Sequence, residues 1–306
     1  MESKTVGETK RKFFTKRRIN RALFMAAMMG PAIVGFLIFY VYVNFDSLIM
    51  AFQVNTGDSI RFGFDNFAYF LRELSVPGSV FTEAIVNTLI FFALGFVVML
   101  LSLVVGYFIY KKIVGYKFFR FVFYLPCIIM GTATASLFSF VIARAGPIGD
   151  ILRAAGGDIP DLLAEAPHAN WMLILYQLLF TLGGNMILFL GSMTNISPEI
   201  FEAAKLDGVS WVRELFQIIV PLIWPTLSVM ILQAIVGLTQ ASGPVFLLTE
   251  GAAGTYTINY WLYEQLLNGR NLEVSAAIGW LCTAITFPIA LIAKHYLDKA
   301  DKAIGV

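Results

Sequence analysis

Charge is scarce in this chain. Of 306 residues, 14% are Asp, Glu, Lys or Arg, against about 25% in a typical soluble domain. Six windows hold no such residue at all: Phe24 to Val43, Ala84 to Tyr110, Phe121 to Ala143, Trp171 to Met193, Phe216 to Gln240 and Ser275 to Ala293. At about 1.5 Å per residue, each is long enough for a helix to cross about 30 Å of hydrocarbon. Six such runs in one chain are hard to place in a soluble core, so the expected fold is all-α, a polytopic membrane protein with six transmembrane helices. The missing intramembrane charges also argue against a proton-coupled carrier or a voltage sensor, which need a titrating or moving group there. Sodium coupling through carbonyls and hydroxyls stays open.

Histidine and cysteine are nearly as scarce, with two of each. His168 and His295 lie at window edges, where a lone imidazole is usually interfacial, so a nucleophile–His–acid triad has little to draw on. No HExxH and no His-Cys metal spacing occurs, which speaks against a metal-dependent membrane enzyme. A GxxxxGK[ST] phosphate loop is also missing, so ATP is not expected to bind this chain by that route. Cys127 and Cys282 both fall inside windows, and two inert, packed thiols are expected in place of a disulfide framework.

The charge that is present is sorted. Seventeen of the 22 Lys and Arg residues belong to the tail before Ala22, the loop Lys111 to Arg120, the Lys205 and Arg213 segment and the end after Ala293; only Arg61, Arg72, Arg144, Arg153 and Arg270 lie in the intervening loops. The positive-inside rule then places both termini in the cytoplasm, as an even number of crossings requires. The basic run with Lys10, Arg11 and Lys12 stands beside a span, where it reads as a topology determinant touching anionic lipid and not as a nucleic-acid patch. The first window, at about 20 residues, is too long for a signal-peptide core. The expected organisation is a basic tail over 1–23, a six-span membrane domain over 24–297 and a tail over 298–306, with modest outer loops at 44–83, 144–170 and 241–274. Phe62 to Leu71 reads as a short amphipathic helix at the outer interface, and Val245 to Leu248 as a patch able to re-enter the membrane surface.

With no charges in the windows, any passage must be lined by neutral polar and aromatic groups. The fifth window places Thr226, Gln233, Gly237 and Gln240 on one helix face. The fourth places Gln177, Thr181, Gly184 and Gly191 together, with Asn185 beside them, and the sixth carries Ser275, Gly279, Cys282 and Thr286. Amides and hydroxyls flanked by aromatics such as Tyr260 and Trp261 suit a neutral polyol; the same groups also serve helix–helix packing, as the run Gly131 to Ser136 does.

Between the fourth and fifth windows lies a charged segment, Pro198 to Pro225. Ser197 can cap a helix with Pro198 at its first position, Glu199 and Glu202 suit its positive end, and Gly208 falls where a left-handed cap is wanted. Ser210 can cap a second helix, which Pro221 and Pro225 kink as it enters the membrane. A connecting interfacial helix accounts for these signals as well as a docking element does.

One pattern separates the two. Glu202-Ala203-Ala204, then Gly208, then Ile218, then Val220-Pro221 resembles the EAA loop of ATP-binding-cassette importer permeases, with Val220 where that family prefers Leu. ISPEIFEAAKLDGVS is similar to the run in the carbohydrate-uptake branch, the maltose and glycerol-phosphate type, and so are Asn87-Thr88 and Leu248-Thr249-Glu250-Gly251 followed by Tyr260-Trp261-Leu262-Tyr263. Gly251-Ala252-Ala253 departs from that branch's Gly-Gly-Pro. The resemblance implies the type I importer permease fold in a bacterial inner membrane, and a coupling helix at 198–209 that docks on a separate ATPase through Glu199, Glu202, Ala203, Ala204, Asp207 and Gly208. It also implies a second six-span permease, two ATPase copies that hold the ATP and magnesium, and an extracytoplasmic solute-binding protein. The substrate is expected to be a sugar or oligosaccharide. A stand-alone or sodium-coupled carrier is the alternative, and a lipid-modifying enzyme a more distant one.

Overall fold

Long uncharged runs satisfy their backbone polar groups within a single helix, as hydrocarbon demands, and the chain is built almost wholly of helices. The structure is a computed structural model and describes residues 16–55, 59–157, 160–268 and 271–304. Lys10, Arg11, Lys12, Asp58 and Arg270 lie outside the described residues. The first span is α1 (Lys16–Phe36), a π-helical turn (Leu37–Tyr42) and α2 (Val43–Ala51), followed by strands β1 (Gln53–Asn55) and β2 (Ile60–Phe62), α3 (Asp65–Leu74) and the second span, α4 (Val80–Tyr110). Then come α5 (Tyr116–Ile128), α6 (Gly131–Ile142), α7 (Pro147–Ala154), the fourth span α8 (His168–Met193) and α9 (Pro198–Leu206). The last third holds α10 (Trp211–Arg213), a π turn (Glu214–Ile219), α11 (Val220–Leu222), α12 (Trp224–Val236), a 3₁₀ turn (Leu238–Gln240), α13 (Val245–Leu248), α14 (Ile258–Asn268) and α15 (Leu272–Ile304). Among the described residues, five helical stretches are long and apolar enough to cross a membrane, and six if the bent pair around Ile223 is one span.

Several expected boundaries move. The first span stays helical to Ala51, eight residues into the expected outer loop. Phe62 sits in β2, which pairs antiparallel with β1 in the register Gln53 to Phe62, and the amphipathic helix starts only at Asp65. The third span is not continuous. Pro126 lacks an N–H and its ring crowds the preceding turn, and the chain turns extended at Ile129 (φ −78°, ψ 141°) before α6 begins. The stretch that passes as a span there is Gly131–Ala154. α5 and α6 nevertheless climb one neighbour, α8. Gly183 lets the Phe123 carbonyl come so close that a Cβ would lie 2.1 Å from it. Further along, the Thr134 and Tyr176 hydroxyls share a hydrogen bond of 2.8 Å and Phe138 packs edge-on to Tyr176. Cys282 is buried as expected, but Cys127 is exposed, although its Sγ lies against Gly183 of α8.

The two ends of the bundle differ. One end, the head, carries the β1–β2 hairpin, α3, α13 and α14. Its closing loop is pinned by the second span: Asn87 donates to the carbonyls of Gly254 (2.9 Å) and Tyr256 (2.8 Å), and Thr88 accepts from the Ile258 N–H. This explains why Asn87-Thr88 and the 248–263 stretch belong to one sequence pattern, since each supplies the other's hydrogen bonds. The other end, the base, gathers the foot of α4, α9 and the far end of α15, where Trp224 donates to the Leu297 carbonyl. A buried cluster there, including Leu103, Tyr107, Phe189, Leu215 and Ile219, joins α4, α8 and the π turn.

Candidate coupling surface and polar faces

α9 starts at Pro198, where the missing N–H costs nothing. Ser197 has the extended backbone of a cap (ψ 131°), but its hydroxyl makes no capping bond; Ser210 before α10 is alike. The other end is closed fully. Gly208 takes φ +65°, its N–H donates to the Lys205 carbonyl, and Val209 donates to Ala204 at 3.1 Å. This is the paired cap that a left-handed residue makes possible, and glycine is the residue that adopts it without strain. It stops the helix at Leu206 and turns the chain toward the membrane.

One side of α9 is anchored and the other is bare. Ala204 is buried, and Ile200 and Phe201 pack against the base cluster. Glu199, Glu202, Ala203, Lys205, Asp207 and Gly208 are all exposed. Leu206 is 88% exposed. Sequence reasoning passes Leu206 by, since a leucine in a helix reads as core; the clue is its spacing of four from Glu202, which puts it on the acidic side. The bare surface is thus a small apolar knob with carboxylates around it, a shape suited to a groove with basic edges.

The foot of α4 grips both α9 and the segment after it. The Tyr110 and Phe201 rings lie 5.2 Å apart, and those of Phe108 and Trp211 5.3 Å. Lys111 forms an ion pair with Glu214, which is only 7% exposed, and its ammonium stands 5.0 Å from the centre of the Phe201 ring. Sequence windows miss this pair because both members fall just outside the uncharged runs.

Beyond Glu214 the fifth span is broken. Pro221 offers no N–H to the carbonyl of Gln217, nor Pro225 to that of Pro221. The ladder slips to a wider register over Glu214–Ile219 and opens at Ile223, where the two helical arms cross at 82°. Such breaks are the usual result of proline and π insertions. The kink expected from Pro221 and Pro225 is thus present, as a sharp elbow.

The polar candidates divide. On α8, Thr181, Gly184 and Gly191 are exposed, and Gln177 and Asn185 half-buried; a Cβ on Gly184 or Gly191 would meet nothing within 4 Å. Gln233 on α12 is exposed too. Gln240 does not continue that face. α12 ends at Val236, where the Gly237 N–H still reaches the Gln233 carbonyl, and Gln240 sits in the following 3₁₀ turn. Trp261 is buried, 4.5 Å from the Phe81 ring in the head core, while Tyr260 is half-buried beside Tyr256 at 5.6 Å.

Apolar helices with bare neutral faces, and a charged helix held outside at one end, define a multi-pass membrane protein of the transport class. The family described as the inner membrane component of binding-protein-dependent transport systems matches residues 99–305, and the chain belongs to it. It is similar to the lactose transport system permease protein LacF of Rhizobium radiobacter, 29% identical over 255 residues, covering 80% of this chain and 83% of that one. The arabinooligosaccharides transport system permease protein AraP of Halalkalibacterium halodurans is 23% identical over 283 residues, with 90% and 87% covered. In fold the chain matches a solved bacterial ABC transporter involved in import of the acidic polysaccharide alginate, with TM-score 0.77 at 24% identity over 92% of this chain and 98% of that one. A second structure, solved in complex with an alginate pentasaccharide-bound periplasmic protein, matches equally at 0.77, with 23% identity over 94% and 98%.

Proposed function

We propose that this chain is one permease subunit of an ATP-driven importer for a sugar or oligosaccharide, forming half of the passage and receiving its energy through α9. The observation that carries this reading is the construction of α9: one face locked to α4 through Phe201, the other offering Glu199, Glu202, Ala203 and Leu206 to a partner. One of two ATPase copies, which hold the ATP and magnesium, docks there, which puts the base and both termini in the cytoplasm. The permease domain is 24–297 with tails at 1–23 and 298–306. A second six-span chain covers the bare polar faces of α8 and α12, so Gln177, Asn185, Gln233 and Gly237 face the passage. Gln240 and Tyr260 stand near its head end, and Trp261 shapes it only through packing. An extracytoplasmic binding protein delivers substrate at the head. Carbohydrate is the class favoured because the bare faces offer amides, hydroxyls and small residues without charge, and because relatives are named for lactose and arabinooligosaccharides.

The test is co-purification from membranes with ATP-hydrolysing activity, followed by the double variant Glu202→Ala, Gly208→Pro. Assembly and uptake are expected to fall together. Retention of both by the double variant would sink the docking assignment.

A further inference from the structure

The foot of α4 holds more chemistry than packing requires. Glu214 is buried at the first position of the π turn, among Leu215, Ile219 and Tyr107. A carboxylate in such surroundings is costly unless a partner charge meets it, and Lys111 is that partner. Tyr107 also faces the same carboxylate. The Lys111 ammonium has a second neighbour, the face of Phe201 on α9, at 5.0 Å, within the range of cation–π attraction. One ammonium is thus shared between the coupling helix and the first turn of the elbow, and it stands on α4. That helix is a fixed post, with Gly106 set directly against Met186 and Phe189 of α8.

We propose that the Lys111–Glu214 pair is the joint that passes displacement of α9 to the bent fifth span; these are positioning residues for coupling, and the proposal rests on the function argued above. When α9 moves, Phe201 moves across the ammonium and changes how strongly Lys111 holds Glu214. The π turn then tightens or slackens on α4, and α12 follows. An apolar contact at this place would transmit a push but not a pull. A charge pair does both and opens reversibly, since the Lys111 side chain is 31% exposed and can turn to water.

The experiment uses the full complex in proteoliposomes, with Cys127→Ser as background and Gln233→Cys on α12 as reporter. The reporter is labelled with a membrane-impermeant maleimide with and without a non-hydrolysable ATP analogue. In the parent, the analogue is expected to change the labelling rate about fivefold or more, the low end of ordinary coupling between sites. Lys111→Met and Glu214→Gln should each bring that change below about twofold while the ATPase still co-purifies. Lys111→Arg, which keeps a cation between Phe201 and Glu214, should retain at least half of it. A packing role alone would not separate Lys111→Arg from Lys111→Met. The full response in both neutral variants, or a Lys111→Arg variant that folds and retains none of it, overturns the joint. If a neutral variant fails to assemble, Lys111→Arg decides by the same criterion. A parent that neither binds ATPase nor responds to nucleotide overturns the function itself, an outcome distinct from either of these.

Discussion

At the scale of single residues, two glycines carry different loads. Gly183 matters for space: a methyl there would sit 2.1 Å from the Phe123 carbonyl and 2.7 Å from Cys127 Sγ. Gly183→Ala is expected to force α5 off α8 and cost about 1–3 kcal/mol. A thermal midpoint of the detergent-solubilised chain lower by several degrees would show it, and an unchanged midpoint would refute the contact. Gly208 matters for its backbone, since a Cβ there meets nothing but the φ is +65°. Gly208→Ala is expected to cost about 1–2 kcal/mol and Gly208→Asn distinctly less, because Asn tolerates the left-handed region. Equal recovery of the ATPase complex with both variants would contradict this. Gly208 was legible in the sequence, as the punctuation between two helix patterns. Gly183 was not, because a close approach between distant segments leaves no local mark.

At the scale of elements, the head loop depends on the second span. Asn87→Ala removes two donors from the Gly254 and Tyr256 carbonyls, at about 1 kcal/mol each. Amide exchange over residues 254–258 is expected to speed up by about tenfold or more while α8 is untouched; equal exchange would mean the loop holds itself. Tyr256 in that loop has its phenol pushed up to about 12, by burial first and then by Glu264, to which its hydroxyl donates. Its contribution is whole below the ordinary phenol value of 10.0 and is lost as pH rises from there to about 12. Ultraviolet titration of Tyr256→Phe should show one fewer phenol titrating near 12, and a spectrum identical to the parent's would refute the assignment. At this scale the sequence is an uneven guide. Uncharged windows located α4 and α8 closely, because hydrocarbon length sets them, whereas α15 runs to Ile304, well past the end of its window at Ala293. They could not show the break at Ile129 or the end of α12 at Val236, since Pro126 and Gly237 are common inside membrane helices and only packing decides whether they interrupt one. The β1–β2 hairpin, three residues a strand, is too short for periodicity to reveal.

At the scale of the whole molecule, the function proposed above makes the chain one part of a larger complex. The most apolar window of its first span has no buried residue, and the polar side of α8 is bare. Reconstituted alone in liposomes, the chain is expected to leave sugar flux at background, with uptake appearing only when a second permease, ATPases and ATP are supplied. Flux from the single chain would favour the stand-alone carrier. Family membership was legible from one charged loop, while the arrangement beneath that loop was not, because Lys111 and Glu214 are far apart in sequence and meet only in the fold. The elbow at Ile223 has a mechanical consequence. Two arms fixed at 82° form a bell-crank: a thrust along the first becomes a sideways sweep of the second. The 13 residues of α12 make an arm of about 20 Å at about 1.5 Å per residue, so a turn of about 10° at the elbow swings its far end by about 3.5 Å, roughly one water diameter. A straight helix of the same sequence would slide along its axis and leave the width beside it unchanged.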